Sequence, residues 1–197
     1  MDKSFLHKSP LLINDPVYGF TRIARGVLTD IVNHRLFQRL GRIRQLGLSS
    51  LVYPGAVHTR LQHSIGAYHL MSEALRTLAE KGVFIFDAEV EAAQAAILLH
   101  DIGHCAFSHV LERVFLPGVT HENITLRMIE QINDEFKGAL TLAIELLSDG
   151  CKKPYLHELI CSQLDVDRLD YLCRDSFFTG VREGNIGAAR IIRTLNV

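Results

Sequence analysis

The sequence predicts an all-α protein, a compact irregular helix bundle with a short strand or hairpin near its start. Three observations lead there. Hydrophobic residues make up 48% and charged residues 22% of the 197 positions, the balance of an ordinary globular chain. Apolar residues recur at helical spacing over most of the length. Gly47 and Gly82 stand where two of those stretches end. The length suits one domain with a substantial core, expected over 1–197.

The elements follow in order. Asn14-Asp15-Pro16-Val17-Tyr18-Gly19 carries turn chemistry, because Pro presets one dihedral and Gly relaxes another. From about Val27 the spacing of Leu28, Ile31, Val32, Leu36, Phe37, Leu40, Ile43 and Leu46 predicts a helix ended by Gly47. Tyr53-Pro54-Gly55-Ala56 reads as a loop. A long helix is expected from about Thr59 to Lys81, with Leu61, Ile65, Tyr68, Met71, Leu75 and Leu78 on one stripe and Gly82 as its stop. The next, from about Asp87 to Asp101, is nearly apolar all round in its second half, which marks a central helix. Further helices are expected near 121–133, 137–148, 155–175 and 186–195. No repeat or low-complexity tract interrupts them.

Composition removes several classes of function. The net charge of -1 gives no global reason to expect nucleic acid. The cluster Arg35, Arg39, Arg42 and Arg44 offers a basic helix face, more often a solvated surface than a binding site. Cys105, Cys151, Cys161 and Cys173 form no C-x-x-C pair, so a thiolate zinc knuckle and a disulfide framework are both disfavoured. The N-terminal stretch lacks the apolar core of a signal peptide, and no run approaches the roughly 20 apolar residues of a membrane span. A cytoplasmic chain without a membrane partner is expected.

Histidine is the compositional oddity. Seven of the ten lie between His58 and His121. His100 and Asp101 stand together at the end of the apolar run VEAAQAAILL, followed by His104 and His109. A carboxylate beside an imidazole at the end of a buried helix is costly unless paired. A cation is the simplest partner, although a capped helix with a satisfied histidine explains the doublet alone. His63 shares a face with Ala67, Leu70 and Ala74, and Asp167 shares one with Ile160, Leu164 and Tyr171. Carboxylates on apolar stripes are rarely buried unpaired. Among its acidic neighbours, Asp170 stands four residues before Arg174, a spacing that reads as a structural salt bridge. A set of imidazoles and carboxylates suits Fe, Mn, Ni or Zn and acts on phosphorus-bound oxygen.

The segments INDPVYGF, FQRLGRIRQLG, YPGAVHTRLQHSIGAYHLM, LLHDIGHCAFSHVLE, THEN and LDVDRLDYLCRDSFFTGV resemble the HD-domain phosphohydrolases. The likeness is to the branch holding the SAM-and-HD-domain deoxynucleoside triphosphate triphosphohydrolases and their bacterial relatives. It runs from about residue 13 to 184 and implies a compact HD-domain bundle. It also implies His63, His100, Asp101 and Asp167 as ligands of one divalent transition metal, with Mg bound alongside the substrate phosphates as a further option. His121 then matches a catalytic histidine, and Asp101 and His104 join it in the catalytic set. His104 and His109 match residues facing the phosphates, and Arg60 a contact to the phosphate next to the sugar. Gln45 matches a glutamine near the sugar 3'-hydroxyl, Arg168 a basic phosphate contact, and Tyr171 and Asp175 residues around the sugar.

Physical chemistry agrees on two of these. An arginine three residues before a liganding histidine shares its helix face and can grip a phosphate. Histidine is the natural proton donor to a leaving alkoxide near neutral pH. Glu122 reads as a first-turn charge complementing a helix dipole, or as a group orienting His121 or His104. Cys105-Ala106 replaces the branch's usual Gly-Pro, and relatives in this branch normally continue beyond Val197 with a C-terminal region.

The expected reaction is hydrolysis of a deoxynucleoside triphosphate to deoxynucleoside and triphosphate by a homo-oligomer, dimer or tetramer. Two alternatives stand beside it. One is an HD phosphohydrolase for a monophosphate, cyclic nucleotide or alarmone. The other is a nucleotide- or nucleic-acid-binding module of weak activity.

Overall fold

The computed structural model describes residues 10–107, 118–148 and 152–197. The predicted hairpin is present. Strands β1 (Leu11–Asp15) and β2 (Gly19–Ile23) pair antiparallel, from Leu11 opposite Ile23 to Asp15 opposite Gly19. The Asp15 carboxylate folds the turn by accepting from the backbone N–H groups of Val17 (2.9 Å) and Tyr18 (3.1 Å). Gly19 supplies the positive φ of 77° that closes it. Thr21 and Ile23 face the core, and Phe20 faces out.

The helix expected over 27–46 is broken. Helix α1 (Val27–Asn33) buries Leu28, Ile31 and Val32, then stops at His34. His34 is extended (ψ 138°) and caps the next helix, α2 (Arg35–Gln38), by accepting from the Leu36 N–H. A 3-10 turn over Arg39–Arg42 follows. The chain is then extended at Ile43 and bridges Thr59 at Arg44, because its backbone finds partners elsewhere. Gln45 N–H donates to His58 O (3.0 Å), and Arg60 N–H donates to Ile43 O (2.9 Å). Apolar spacing alone does not reveal that competition. The basic helix face dissolves with it: Arg39 donates to the Ile102 and His104 carbonyls, while Arg44 reaches Ser50.

Helix α3 (Arg60–Glu80) runs close to its expected bounds. Thr59 and Gln62 form a reciprocal cap at its start, and Gly82, with φ 90°, follows its end. Helix α4 (Asp87–Leu99) is fully buried from Ala95 to Leu99 and sits at the centre. It packs against α3, α1 and α6 (Thr141–Leu147). Helix α5 (His121–Glu135) begins at a Thr120/Asn123 cap and packs on α6.

The helix expected over 155–175 is two. Helix α7 (Pro154–Glu158) ends before a turn, and α8 (Val166–Thr179) starts afresh. Asp165 causes the restart. Its two oxygens accept from the N–H groups of Arg168 (2.7 Å) and Ser162 (2.8 Å), an N-cap in place of helix interior. Ile160 and Leu164 therefore do not share a helix face with Asp167. Helix α9 (Ala188–Thr194) closes the chain against α3. The result is all-α with one two-stranded hairpin lying on α3.

Candidate metal centre and active site

Three helices deliver the site. α3 brings Arg60 and His63, the end of α4 brings His100 and Asp101, and the first turn of α8 brings Asp167. α3 lies between the other two, packed on both, so residues up to 107 positions apart in sequence converge. Three donor atoms, one each from His63, His100 and Asp101, lie within 4.8 Å of one another. His63 Nε2 is 3.3 Å from His100 Nε2, and Asp167 Oδ1 is 2.9 Å and 3.4 Å from the two. Asp101 lies 3.8 Å from His63 Nε2 and 3.6 Å from His100 Nε2.

The far side of each ring decides what these atoms are. His63 Nδ1 meets the Asp170 carboxylate at 2.7 Å, and His100 Nδ1 meets the Ile97 carbonyl at 2.6 Å. Both partners only accept, so each Nδ1 carries the hydrogen. In the neutral rings the two Nε2 lone pairs then face one another and two carboxylates. Even with Arg60 donating to Asp101, this crowd of acceptors calls for positive charge, and a divalent cation would supply it to all four. The residues present therefore fit a metal. Without one, protons must serve. Burial pulls His63 down, but hydrogen bonds to Asp167 and Asp170 outweigh it and hold the imidazole up at about 10. His100 is also raised, burial being outweighed by Asp101 and Asp167. Burial would raise Asp101 and Asp167, yet the two imidazoles hold both carboxyls below their ordinary range.

Around this cluster, Arg60 contacts Asp101 Oδ2 at 2.5 Å and is itself buried. His104 Nε2 lies 3.3 Å from Asp101 Oδ1, and burial pulls its value down, so its ring is neutral near pH 7. His121, the first residue of α5, stacks on His104 with centroids 3.9 Å apart, and its Nε2 lies 3.2 Å from Glu122 Oε1. Gly103 permits this approach. A Cβ there would stand 2.3 Å from His121 O and 2.4 Å from Thr125 N. Thr125 Oγ accepts from Gly103 N–H and donates to His100 O, pinning α5 to the doublet.

The remaining expected residues lie further out. Tyr171 and Asp175 follow Asp167 at successive turns of α8, so Asp175 stands about 12 Å along the axis. Asp175 binds His58 Nε2 at 2.7 Å, and His58 is buried against Phe178. Gln45 joins this corner through its backbone bond to His58. Arg168 turns to Ser162 O (3.0 Å) and Asp165 (3.5 Å), with half its side chain exposed. His109 lies outside the described residues. Sequence reasoning missed His58, although it belongs to the histidine-rich stretch. It also missed that Asp170, paired with Arg174 as expected, is shared with His63.

Fold and site define an all-α domain with a buried histidine–aspartate cluster able to hold a divalent metal. The chain belongs to the HD domain family, whose model matches residues 60–175. It is similar to a phosphohydrolase from Bacteroides thetaiotaomicron of known crystal structure (TM-score 0.94, 61% identity, 96% of this chain and 47% of that one). It is also similar to the uncharacterized protein YwfO of Bacillus subtilis, at 35% identity over 93% of this chain and 44% of that protein. The Dictyostelium discoideum homolog of the deoxynucleoside triphosphate triphosphohydrolase SAMHD1 is 31% identical over 88% of this chain and 37% of that protein. The chain thus spans less than half the length of these relatives. Among the described residues, no helix is long and apolar enough to cross a membrane.

Proposed function

We propose that this chain is a metal-dependent phosphohydrolase that converts deoxynucleoside triphosphates to deoxynucleoside and triphosphate. The observation that carries the metal is the pair of imidazole Nε2 atoms 3.3 Å apart, each ring's Nδ1 committed to an acceptor. His63, His100, Asp101 and Asp167 hold one Fe, Mn, Ni or Zn ion. That ion supplies charge stabilisation at a phosphoryl oxygen and acidifies water.

The chain's own residues supply the rest. Arg60, beside Asp101, binds the phosphate next to the sugar, and its fixed charge meets the negative charge that develops there. His104 and His109 face the phosphates. His121 gives its proton to the leaving sugar oxygen, and Glu122 Oε1, 3.2 Å from its Nε2, orients the ring. Tyr171, Asp175 and Gln45 take the sugar, at the distance along α8 that a nucleotide spans, and Arg168 guards the phosphate side. The substrate class rests on likeness to the SAMHD1 relatives. The same reading makes the chain one HD domain of a homo-oligomer in the cytoplasm.

The test is to purify the protein without chelator, measure bound metal, and assay deoxynucleoside and ribonucleoside triphosphates for products. One transition metal per chain with deoxynucleoside and triphosphate as products is expected. Release of orthophosphate or pyrophosphate would point to a different HD reaction.

A further inference from the structure

The turn Asp15-Pro16-Val17-Tyr18 has so far only a structural part. Its aspartate nevertheless lies at the end of an unbroken buried chain that leads to the metal centre. His63 Nδ1–H donates to Asp170 Oδ2 (2.7 Å). Arg174 donates to both oxygens of Asp170, through Nε (2.9 Å) and Nη2 (3.0 Å). The third nitrogen, Nη1, donates to Asp15 Oδ2 at 2.9 Å. Asp170 and Arg174 are wholly buried, and Asp15 is 4% exposed. The space is cut to fit: a Cβ on Gly66 of α3 would stand 2.0 Å from Arg174 Nη2 and 2.1 Å from Asp170 Oδ1.

The charges explain why the chain has this length. Asp170 and Arg174 alone would neutralise each other, and Asp170 would accept weakly from His63. The Asp15 carboxylate draws on the same guanidinium, so the three groups carry one net negative charge in the core. A turn cap for Val17 and Tyr18 needs no such charge, since Asn or Ser would serve. Burying an extra carboxylate is costly unless its charge is used. Among the described residues, His69 also lies within electrostatic reach of Asp15 and Asp170, but the hydrogen-bonded chain itself leads through His63 to the metal centre.

We infer that Asp15 is a positioning residue for the metal centre, acting through Arg174 and Asp170 to fix the His63 ring and strengthen its Nε2 as a donor. The inference rests on the reading of His63 as a metal ligand, and not on the substrate. Carboxylates behind liganding histidines tune metal affinity by about 10–100-fold.

The experiment measures Zn²⁺ affinity of the whole chain by competition with a chromophoric chelator, with the thermal midpoint of the metal-free form as a separate readout. Asp170→Asn is expected to weaken Zn²⁺ binding by about 10–100-fold. Asp15→Asn, which keeps the turn's shape, is expected to weaken it by about two- to thirtyfold, the span of couplings through packed networks. Once Asp170 is Asn, adding Asp15→Asn should cost no further affinity, because the route to His63 is already cut. A merely structural Asp15 would lower the thermal midpoint and leave Zn²⁺ affinity unchanged, and that result overturns the inference. If Asp170→Asn does not fold, Asp15→Asn alone decides by the same criterion. A His63→Ala control that binds Zn²⁺ normally would overturn this inference together with the metal-centre reading. Normal Zn²⁺ effects with no nucleotide turnover would overturn only the proposed reaction.

Discussion

Single side chains in this protein are set by what lies on both of their sides. His100 and Asp101 are adjacent, yet they serve one centre because each faces a different neighbour: His100 meets His63 and Asp167, and Asp101 meets Arg60 and His104. Asp101→Ala therefore removes a proposed ligand and a partner of Arg60 together. Loss of both bound metal and turnover is expected, read by metal analysis and product assay; activity surviving without metal would defeat the mechanism. His63 makes stability depend on pH in a defined direction. Its ring sits at about 10 in the fold against an ordinary 6.5. The folded metal-free protein holds a proton that the unfolded chain gives up in that window. The stabilisation is full below about pH 6.5, and it declines as pH rises toward 10. Metal replaces the proton, so thermal midpoints between these values should fall with chelator present and stay flatter with metal bound. Asp101, Asp167 and Asp170 act in the opposite sense. Held below the ordinary 3.8, they stabilise above it and lose that contribution as pH falls further.

At the level of elements, α3 organises the rest. One face of it carries Arg60 and His63 toward the metal centre, and Gly66 one turn on leaves room for the Asp170–Arg174 pair of α8. Gly66→Ala forces a methyl group into two charged side chains that have no water to retreat into. Breaking a buried pair in this way is expected to lower unfolding free energy by about 3–5 kcal/mol, measured by denaturant titration, with metal affinity falling in parallel. The boundaries of the other elements show where apolar periodicity is a sufficient guide. It located α3 and α4, whose ends are marked by a Thr59/Gln62 cap, Gly82 and the doublet. It missed the breaks at His34 and Asp165, because both residues turn their side chains back onto the following backbone. Such local capping competes with helix in any chain, and the winner depends on whether the flanking segments have somewhere else to pack.

Across the whole molecule, the candidate metal centre joins three helices, one of them far from the other two in sequence. An ion held by residues from α3, α4 and α8 binds the folded state alone, so it stabilises the fold by mass action. Raising free metal to 100 times its dissociation constant should add about 2.7 kcal/mol, seen as a rise in thermal midpoint that Asp101→Ala abolishes. The all-α class and the hairpin were legible in the sequence, from hydropathy and turn chemistry, and motif likeness singled out His63, His100, Asp101 and Asp167, which the fold brings together. Residue types and spacings determine these, because a helix buries a stripe and a metal selects imidazole and carboxylate wherever they stand. Which faces meet is a property of packing alone. Asp15 reaches Arg174 across 159 residues, and His58 reaches Asp175 across 117. No local pattern encodes either contact, since the first exists only when the hairpin and α8 have both closed on α3, and the second only when α8 packs beside the segment that leads into α3.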